Sequence, residues 1–189
     1  MRRGDIALFD RAAPVYDYLL FSADADVLAS ALDRADRPIT RVLDVGGGTG
    51  RGVRAVDAPE RIVLDPSKRM LSRARVHGLA AVRGDGSRLP VATESVDAVL
   101  VVDALHHIVD QRGVFEEARR VLRPGGILAI VEFDPTTIRG RLLVAAEHLV
   151  GFDSTFHPPD RLREAIATAG FDAAVVDRGF GYTVVGRTD

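Results

Sequence analysis

From residue 41 onward, short apolar runs alternate with stretches whose apolar positions recur every three or four residues. The runs at 42–45, 61–65, 79–82, 95–102 and 127–132 are close to continuously apolar, as strands covered on both faces should be. Between them the helical period predicts helices over 49–56, 67–77 and 113–122, with Ser67 placed to cap the second. Ahead of this core, Val27, Leu28, Ala31 and Leu32 mark an amphipathic helix over 24–35, ended by Pro38. The rhythm changes after residue 133. A helix over 139–150 carries Leu142, Leu143, Ala146, Leu149 and Val150 on one side, and a helix over 161–169 is capped by Gly170. Two last strands, 173–176 and 182–185, meet through Gly179 and Gly181 as a hairpin. Alternating β and α units of this length predict a doubly wound, mostly parallel α/β sheet with right-handed crossovers.

The first strand runs straight into Asp44-Val45-Gly46-Gly47-Gly48-Thr49-Gly50. Glycine there permits positive φ and lets a ligand approach where a Cβ would block it. A helix opening at about Thr49 offers unpaired amide N–H groups to the same place, at the carboxyl end of the sheet. The spacing selects among ligands. A dinucleotide turn needs G-x-G-x-x-G, and Arg51 stands where its third glycine would be counted from Gly46. No Gly-Lys-Ser/Thr follows, which excludes a P-loop. The pattern present is D-x-G-x-G-x-G through Asp44, Gly46, Gly48 and Gly50.

Composition narrows the classes further. The chain has 189 residues, 47% hydrophobic and 28% charged, as expected of one globular domain able to bury its own core. A net charge of −2 gives no basic field to draw in nucleic acid. Cysteine is absent, removing disulfides, thiolate zinc sites and cysteine nucleophiles together. No apolar run reaches the length of a membrane span, and a cytoplasmic setting is expected.

Asp44 to Gly50 resembles the first motif of class I S-adenosylmethionine-dependent methyltransferases. Five more segments resemble small-molecule members of that class, of the quinone-pathway and methyltransferase-11 types. They are Phe9-Asp10 through Tyr16-Asp17; Asp65-Pro66-Ser67 through Met70-Leu71; Gly84-Asp85-Gly86 through Leu89-Pro90; and Asp97 through Asp103-Ala104-Leu105-His106-His107-Ile108, with Arg123-Pro124-Gly125-Gly126 completing the series. The resemblance implies a seven-stranded sheet of order 3-2-1-4-5-7-6 with an antiparallel C-terminal hairpin. Within a single domain over 1–189 it implies a helical N-terminal lid over 1–37, a cofactor half over 38–136 and a substrate side over 137–189.

It also implies S-adenosylmethionine as cofactor, S-adenosylhomocysteine as product, and a cofactor set of Asp44, Gly46, Gly47, Gly48, Gly50, Asp65, Pro66, Met70, Asp85, Gly86, Val102 and Asp103. Asp65 lies 19 positions after Gly46, close to the offset of ~20 residues at which a strand-two acid meets ribose hydroxyls. Asp85 and Gly86 would meet the adenine, with Pro66 and Met70 packing on its faces. Tyr16 and His107 are the candidates facing the acceptor; each has a plainer reading, as a helix anchor and as a loop histidine. No metal is expected, because adjacent histidines diverge on a regular element and no H-E-x-x-H spacing accompanies them. The acceptor is expected to be small and partly hydrophobic, with no nucleic-acid partner; the oligomeric state is open. Two rivals remain, a non-catalytic cofactor- or partner-binding module and a nicotinamide-dependent oxidoreductase.

Overall fold

The computed structural model describes residues 24–149 and 151–189, so Phe9, Tyr16 and the rest of the entry motif lie outside the described residues. Seven strands form one sheet: β1 (Arg41–Val45), β2 (Glu60–Asp65), β3 (Ala80–Arg83), β4 (Val96–Val102), β5 (Leu122–Phe133), β6 (Asp172–Asp177) and β7 (Gly181–Arg187). Their order is β3-β2-β1-β4-β5-β7-β6, parallel except where β7 pairs with β5 and β6. The doubly wound order and the antiparallel hairpin are those the resemblance implied.

Strand parity explains why the central runs are continuously apolar. In β1, Val42 points to the face that buries helices α1 (Ala25–Leu32), α2 (Arg51–Arg54) and α3 (Lys68–Val76), through Leu28, Val53 and Leu71. Leu43 and Val45 point to the opposite face, with Phe115 of α4 (Gln111–Val121) and Ile166 of α6 (Pro159–Thr168). All seven residues of β4 are buried. Helix α5 (Ile138–Leu149) stands apart: Ile138, Leu142 and Leu149 are exposed and Gly140 is its one buried residue. Among the described residues, no helix is long and apolar enough to cross a membrane.

Three boundaries differ from expectation, each for a local reason. Helix α2 begins at Arg51, because Gly50 is held at φ 87° as its N-cap, and a Cβ there would collide with Leu79. Arg123-Pro124-Gly125-Gly126, expected as a turn, lies inside the twelve residues of β5. A register shift between Val96 and Ala98 accommodates it, the kind of irregularity at which a strand proline is tolerated. Helix α1 stops at Leu32, with Asp24 as its N-cap accepting from the Asp26 and Val27 N–H groups.

At the amino end of the sheet, buried Asp97 gathers the strands around one carboxylate. Its Oδ2 accepts from Thr40 N, Thr40 Oγ1 and Arg41 N, at 3.0, 2.6 and 2.9 Å. Its Oδ1 pairs with Arg37 and Arg123, each at 2.9 Å. Burial alone would raise its pKa, but these donors outweigh it and hold the group far below the usual carboxylate range.

Candidate active site

The glycine turn is hung from β2: Gly46 N and Gly47 N both donate to Leu64 O, at 2.8 and 3.3 Å. Gly46, Gly48 and Gly50 take φ of 71°, 58° and 87°, conformations that non-glycine residues rarely adopt. What each glycine makes room for differs. A Cβ at Gly46 would come within 2.8 Å of Ala104 Cβ, and one at Gly47 would strike the Asp44 carboxyl group at 2.5 Å. A Cβ at Gly48 would meet only Met70 Sδ, at 3.8 Å. Gly48 is therefore the glycine whose missing side chain leaves space for something other than the protein itself.

Asp65, at the end of β2, braces this turn. Its Oδ2 accepts from Gly48 N at 3.0 Å and its Oδ1 from Ser67 N at 2.7 Å. Two hollows share Gly46 of this turn. One is lined by Gly46, Leu64, Pro66, Asp85, Gly86, Ala104 and Ile108, the other by Asp44, Gly46, Gly47, Gly48, Arg51, Gly52 and Val102. The first is mainly apolar with Asp85 beside it. Burial tends to raise that carboxyl, but the Ser87 N–H and hydroxyl, both at 3.0 Å, hold it below the usual range. The second is polar. Asp44 is fully buried; its Oδ2 accepts from Val53 N at 3.1 Å and its Oδ1 has no hydrogen-bond partner. Burial raises its pKa to about 7, with the Val53 N–H opposing and the Asp65 charge adding to the rise.

Eight of the twelve expected cofactor residues thus line adjoining hollows, and four do not: Asp65, which braces the turn, and Gly50, Met70 and Asp103. Gly50 packs against Leu79 and Val63 under the turn. Met70 is 2% exposed, with its Sδ 3.8 Å from where a Cβ at Gly48 would stand. Asp103 stands at φ 50° at the end of β4, with Oδ2 3.6 Å from Arg51. Burial and the charge of Glu132 raise its pKa to about 6, against the pull of Arg51. Arg51, the residue that counted against a dinucleotide, is itself 8% exposed and lines the polar hollow.

The next turn, Leu105–His107, is a 3-10 helix, and here the sequence argument about the histidine pair fails. The two ring centroids are 4.1 Å apart, so the rings meet although successive residues of a 3-10 helix are set about 120° apart round its axis. His106 Nδ1 is 2.7 Å from Glu132 Oε2 of β5, and its Nε2 is 3.6 Å from Glu147 Oε1 of α5. Burial disfavours the charged ring, but the two glutamates outweigh it and push the His106 pKa to about 10. His107 goes the other way, to about 3, through burial and the neighbouring His106 charge. It lies between His106 and Phe152, with Nδ1 3.3 Å from Ser154 Oγ, and lines neither hollow.

The strap over 152–157, between α5 and α6, is sewn onto this turn by residues whose roles sequence reading missed. Thr155 N donates to His106 O at 2.8 Å, and Gln111 Nε2 donates to Leu105 O and Thr155 O, both at 3.0 Å. Tyr182 Oη donates to His157 O at 2.7 Å, and Phe156 stacks on His106. Glu132 and Glu147 were invisible as partners because they lie 26 and 41 residues from His106.

Comparison with known proteins agrees with this geometry. Residues 43–130 match the methyltransferase-domain family. The chain is 36% identical over 183 residues to a malonyl-[acyl-carrier protein] O-methyltransferase of Xylella fastidiosa, covering 90% of this chain and 62% of that protein. It is 38% identical over 115 residues to a demethylmenaquinone methyltransferase of a Mycobacterium species, covering 60% and 50%. The chain thus spans between half and two thirds of the length of these relatives. Among solved structures, an S-adenosylmethionine-dependent methyltransferase of Thermotoga maritima superposes with a TM-score of 0.80 at 23% identity, over 97% of this chain and 99% of that one. The matched segment runs from β1 to β5 and contains the glycine turn, Asp65 and the histidine turn, which makes this chain a member of the class I S-adenosylmethionine-dependent methyltransferases.

Proposed function

We propose that this chain moves a methyl group from S-adenosylmethionine to a small, partly hydrophobic acceptor and releases S-adenosylhomocysteine. The observation that carries the reading is the open space at Gly48 beside Asp65, bounded by an apolar hollow on one side and a polar one on the other. These residues fit the cofactor in kind. Leu64, Pro66 and Ile108 offer an apolar slot and Asp85 an acceptor for an exocyclic amine, while the Asp65 carboxylate, which accepts from Gly48 N and Ser67 N, is of the chemistry that meets ribose hydroxyls. The partnerless Asp44 Oδ1 suits an ammonium group, which would draw the Asp44 proton off as it enters.

When bound, the cofactor supplies a methyl group already activated on a sulfonium, so no covalent nucleophile is needed from the chain. The protein's part is to align the acceptor and keep water out. A group with a pKa near 3 takes almost no proton at neutral pH, so His107 is poorly matched to act as the base and packs against His106 and Phe152. Asp103, raised to about 6, is better matched to accept a proton where the acceptor must lose one. Tyr16 lies outside the described residues, and its acceptor-facing role stays part of the proposal. The relatives' names fit a small acceptor; the aromatic strap and the apolar surface of α5 support a partly hydrophobic one. A cytoplasmic setting and the absence of a nucleic-acid partner belong to the same proposal, on cysteine-free composition and a net charge of −2.

Mass spectrometry of ligand co-purified with the chain, followed by an acceptor screen with methyl-labelled S-adenosylmethionine, tests this. Transfer of label to a small acceptor is expected. Tight cofactor binding with no transfer across the screen would favour a non-catalytic module, and saturable nicotinamide binding would overturn the reading.

A further inference from the structure

The cluster around the histidine turn holds more than the methyl-transfer reading uses. Ligand-capable atoms of His106, His107 and Glu147 all lie within 4.8 Å of one another. His106 is oriented by Glu132, which holds its Nδ1 at 2.7 Å and leaves Nε2 directed at Glu147. A carboxylate behind a histidine ligand in this way fixes the tautomer and ring angle at metal centres. Glu147 Oε2 is buried and has no hydrogen-bond partner. The rings of Phe152 and Phe156 pack against the two imidazoles and shut bulk water from the cluster.

We propose that His106, His107 and Glu147 form a binding site for a divalent transition-metal ion of the zinc class, joining α5 to the end of β4. The donor set selects the ion. Two imidazoles and one carboxylate suit zinc or a neighbouring ion, whereas magnesium and calcium prefer all-oxygen shells. Bonds of about 2.0–2.2 Å in a tetrahedron put ligand atoms roughly 3.4 Å apart. The His106 Nε2 to Glu147 Oε1 distance of 3.6 Å is already close to this, and the remaining pairs, all within 4.8 Å, close by up to about 1.4 Å on binding. Three protein ligands leave one position for water or another oxygen. The ion takes the place of the Nε2 proton in the bridge between Glu132 and Glu147, so binding releases a proton. The site does not depend on the identity of the acceptor or on methyl transfer.

Cobalt titration of the full chain, read by visible ligand-field absorption, tests the proposal, with zinc content after desalting as the second measure. One ion per chain with tetrahedral-type bands, displaced by zinc, is the expected result. Glu147→Gln should weaken binding at least tenfold, and Glu132→Gln, which touches no ion, should weaken it by roughly 10–100-fold through misorientation of His106. Circular dichroism establishes that each variant is folded; should His106→Asn fail to fold, the two glutamate variants suffice. No stoichiometric binding by the wild-type chain, or a folded Glu147→Gln that binds as wild type, would overturn the site. So would a His106 ring that keeps both protons in saturating zinc, read by nitrogen NMR, leaving an imidazolium bridging two carboxylates.

Discussion

The glycine turn and the histidine turn close neighbouring parallel strands, β1 and β4, yet they are built in opposite ways. The glycine turn is satisfied from nearby in the chain: Asp44 receives Val53 N, Gly48 reaches Asp65, and Asp65 reaches Ser67. Its backbone supplies the donors, and its glycines supply space. The histidine turn is satisfied from far away, by Glu132, Glu147, Thr155 and, through the strap, Tyr182. There the side chains do the holding and space is filled. A site for a shared cofactor can be written into one short segment, whereas the side that meets a particular acceptor depends on elements that come together only in the folded chain.

That contrast is sharpest at Gly48. Gly48→Val should remove cofactor binding below calorimetric detection while far-UV circular dichroism is retained, since its Cβ enters the open space and valine resists φ 58°. Gly46→Val should instead lower thermal stability as well, because its Cβ meets Ala104. Normal cofactor affinity in a folded Gly48→Val would break the assignment of the turn.

Asp44→Asn separates holding a ligand from holding the fold. The Asp44 pKa is raised from 3.8 to about 7 on folding, so between those values the folded chain binds a proton that the unfolded chain does not. Stability therefore falls as pH rises through that window, by at most about 4 kcal/mol for a shift of this size. The asparagine variant should melt higher than wild type at pH 8, with the gain fading toward pH 4, and should bind the cofactor less well. A melting difference independent of pH would show that Asp44 is not the titrating group.

Asp65→Ala removes an acceptor worth roughly 1.5–3 kcal/mol per charged hydrogen bond, so affinity should drop at least about tenfold by calorimetry. Unchanged affinity in a folded variant would remove Asp65 from the site. Tyr182→Phe is the mildest, deleting the bond to His157 O. A loss of about 1 kcal/mol, or roughly 2–4 °C in melting temperature, is expected, with cofactor affinity untouched. A matching loss of cofactor binding would mean the two turns are coupled after all.

The same contrast explains what was legible in the sequence. The doubly wound class followed from the alternating apolar runs, because β1 and β4 are buried on both faces and so lack polar alternation, while the sheet order followed from the resemblance. The Gly46–Asp65 relation was legible because a β-α-β unit fixes that offset. The depth of Met70 was not legible, because a motif position says which residue is present and not how deep it lies. Arg123-Pro124-Gly125-Gly126 misled because turn residues also serve irregular strands, and only pairing with Val96 shows which applies. The Glu132–His106–Glu147 line had no local signal, since its members share neither an element nor a period.

Asp97 bears on how the chain is made. Synthesis delivers β1 before β4, and β1 is a central strand whose second edge is covered only by β4. Until residue 97 has emerged, the N–H groups of Thr40 and Arg41 lack their acceptor, and Arg123 completes the cluster only once β5 begins. A growing chain that has formed β1, β2 and β3 thus carries an open apolar strand edge, the feature most prone to pairing with another chain. Stalled chains ending before residue 95 should be cleaved readily by protease, and those extending past residue 133 should resist it. The length at which the ribosome-bound chain stops needing shielding is then set by the arrival of β4, whose Asp97 ties the strands together at the amino end of the sheet.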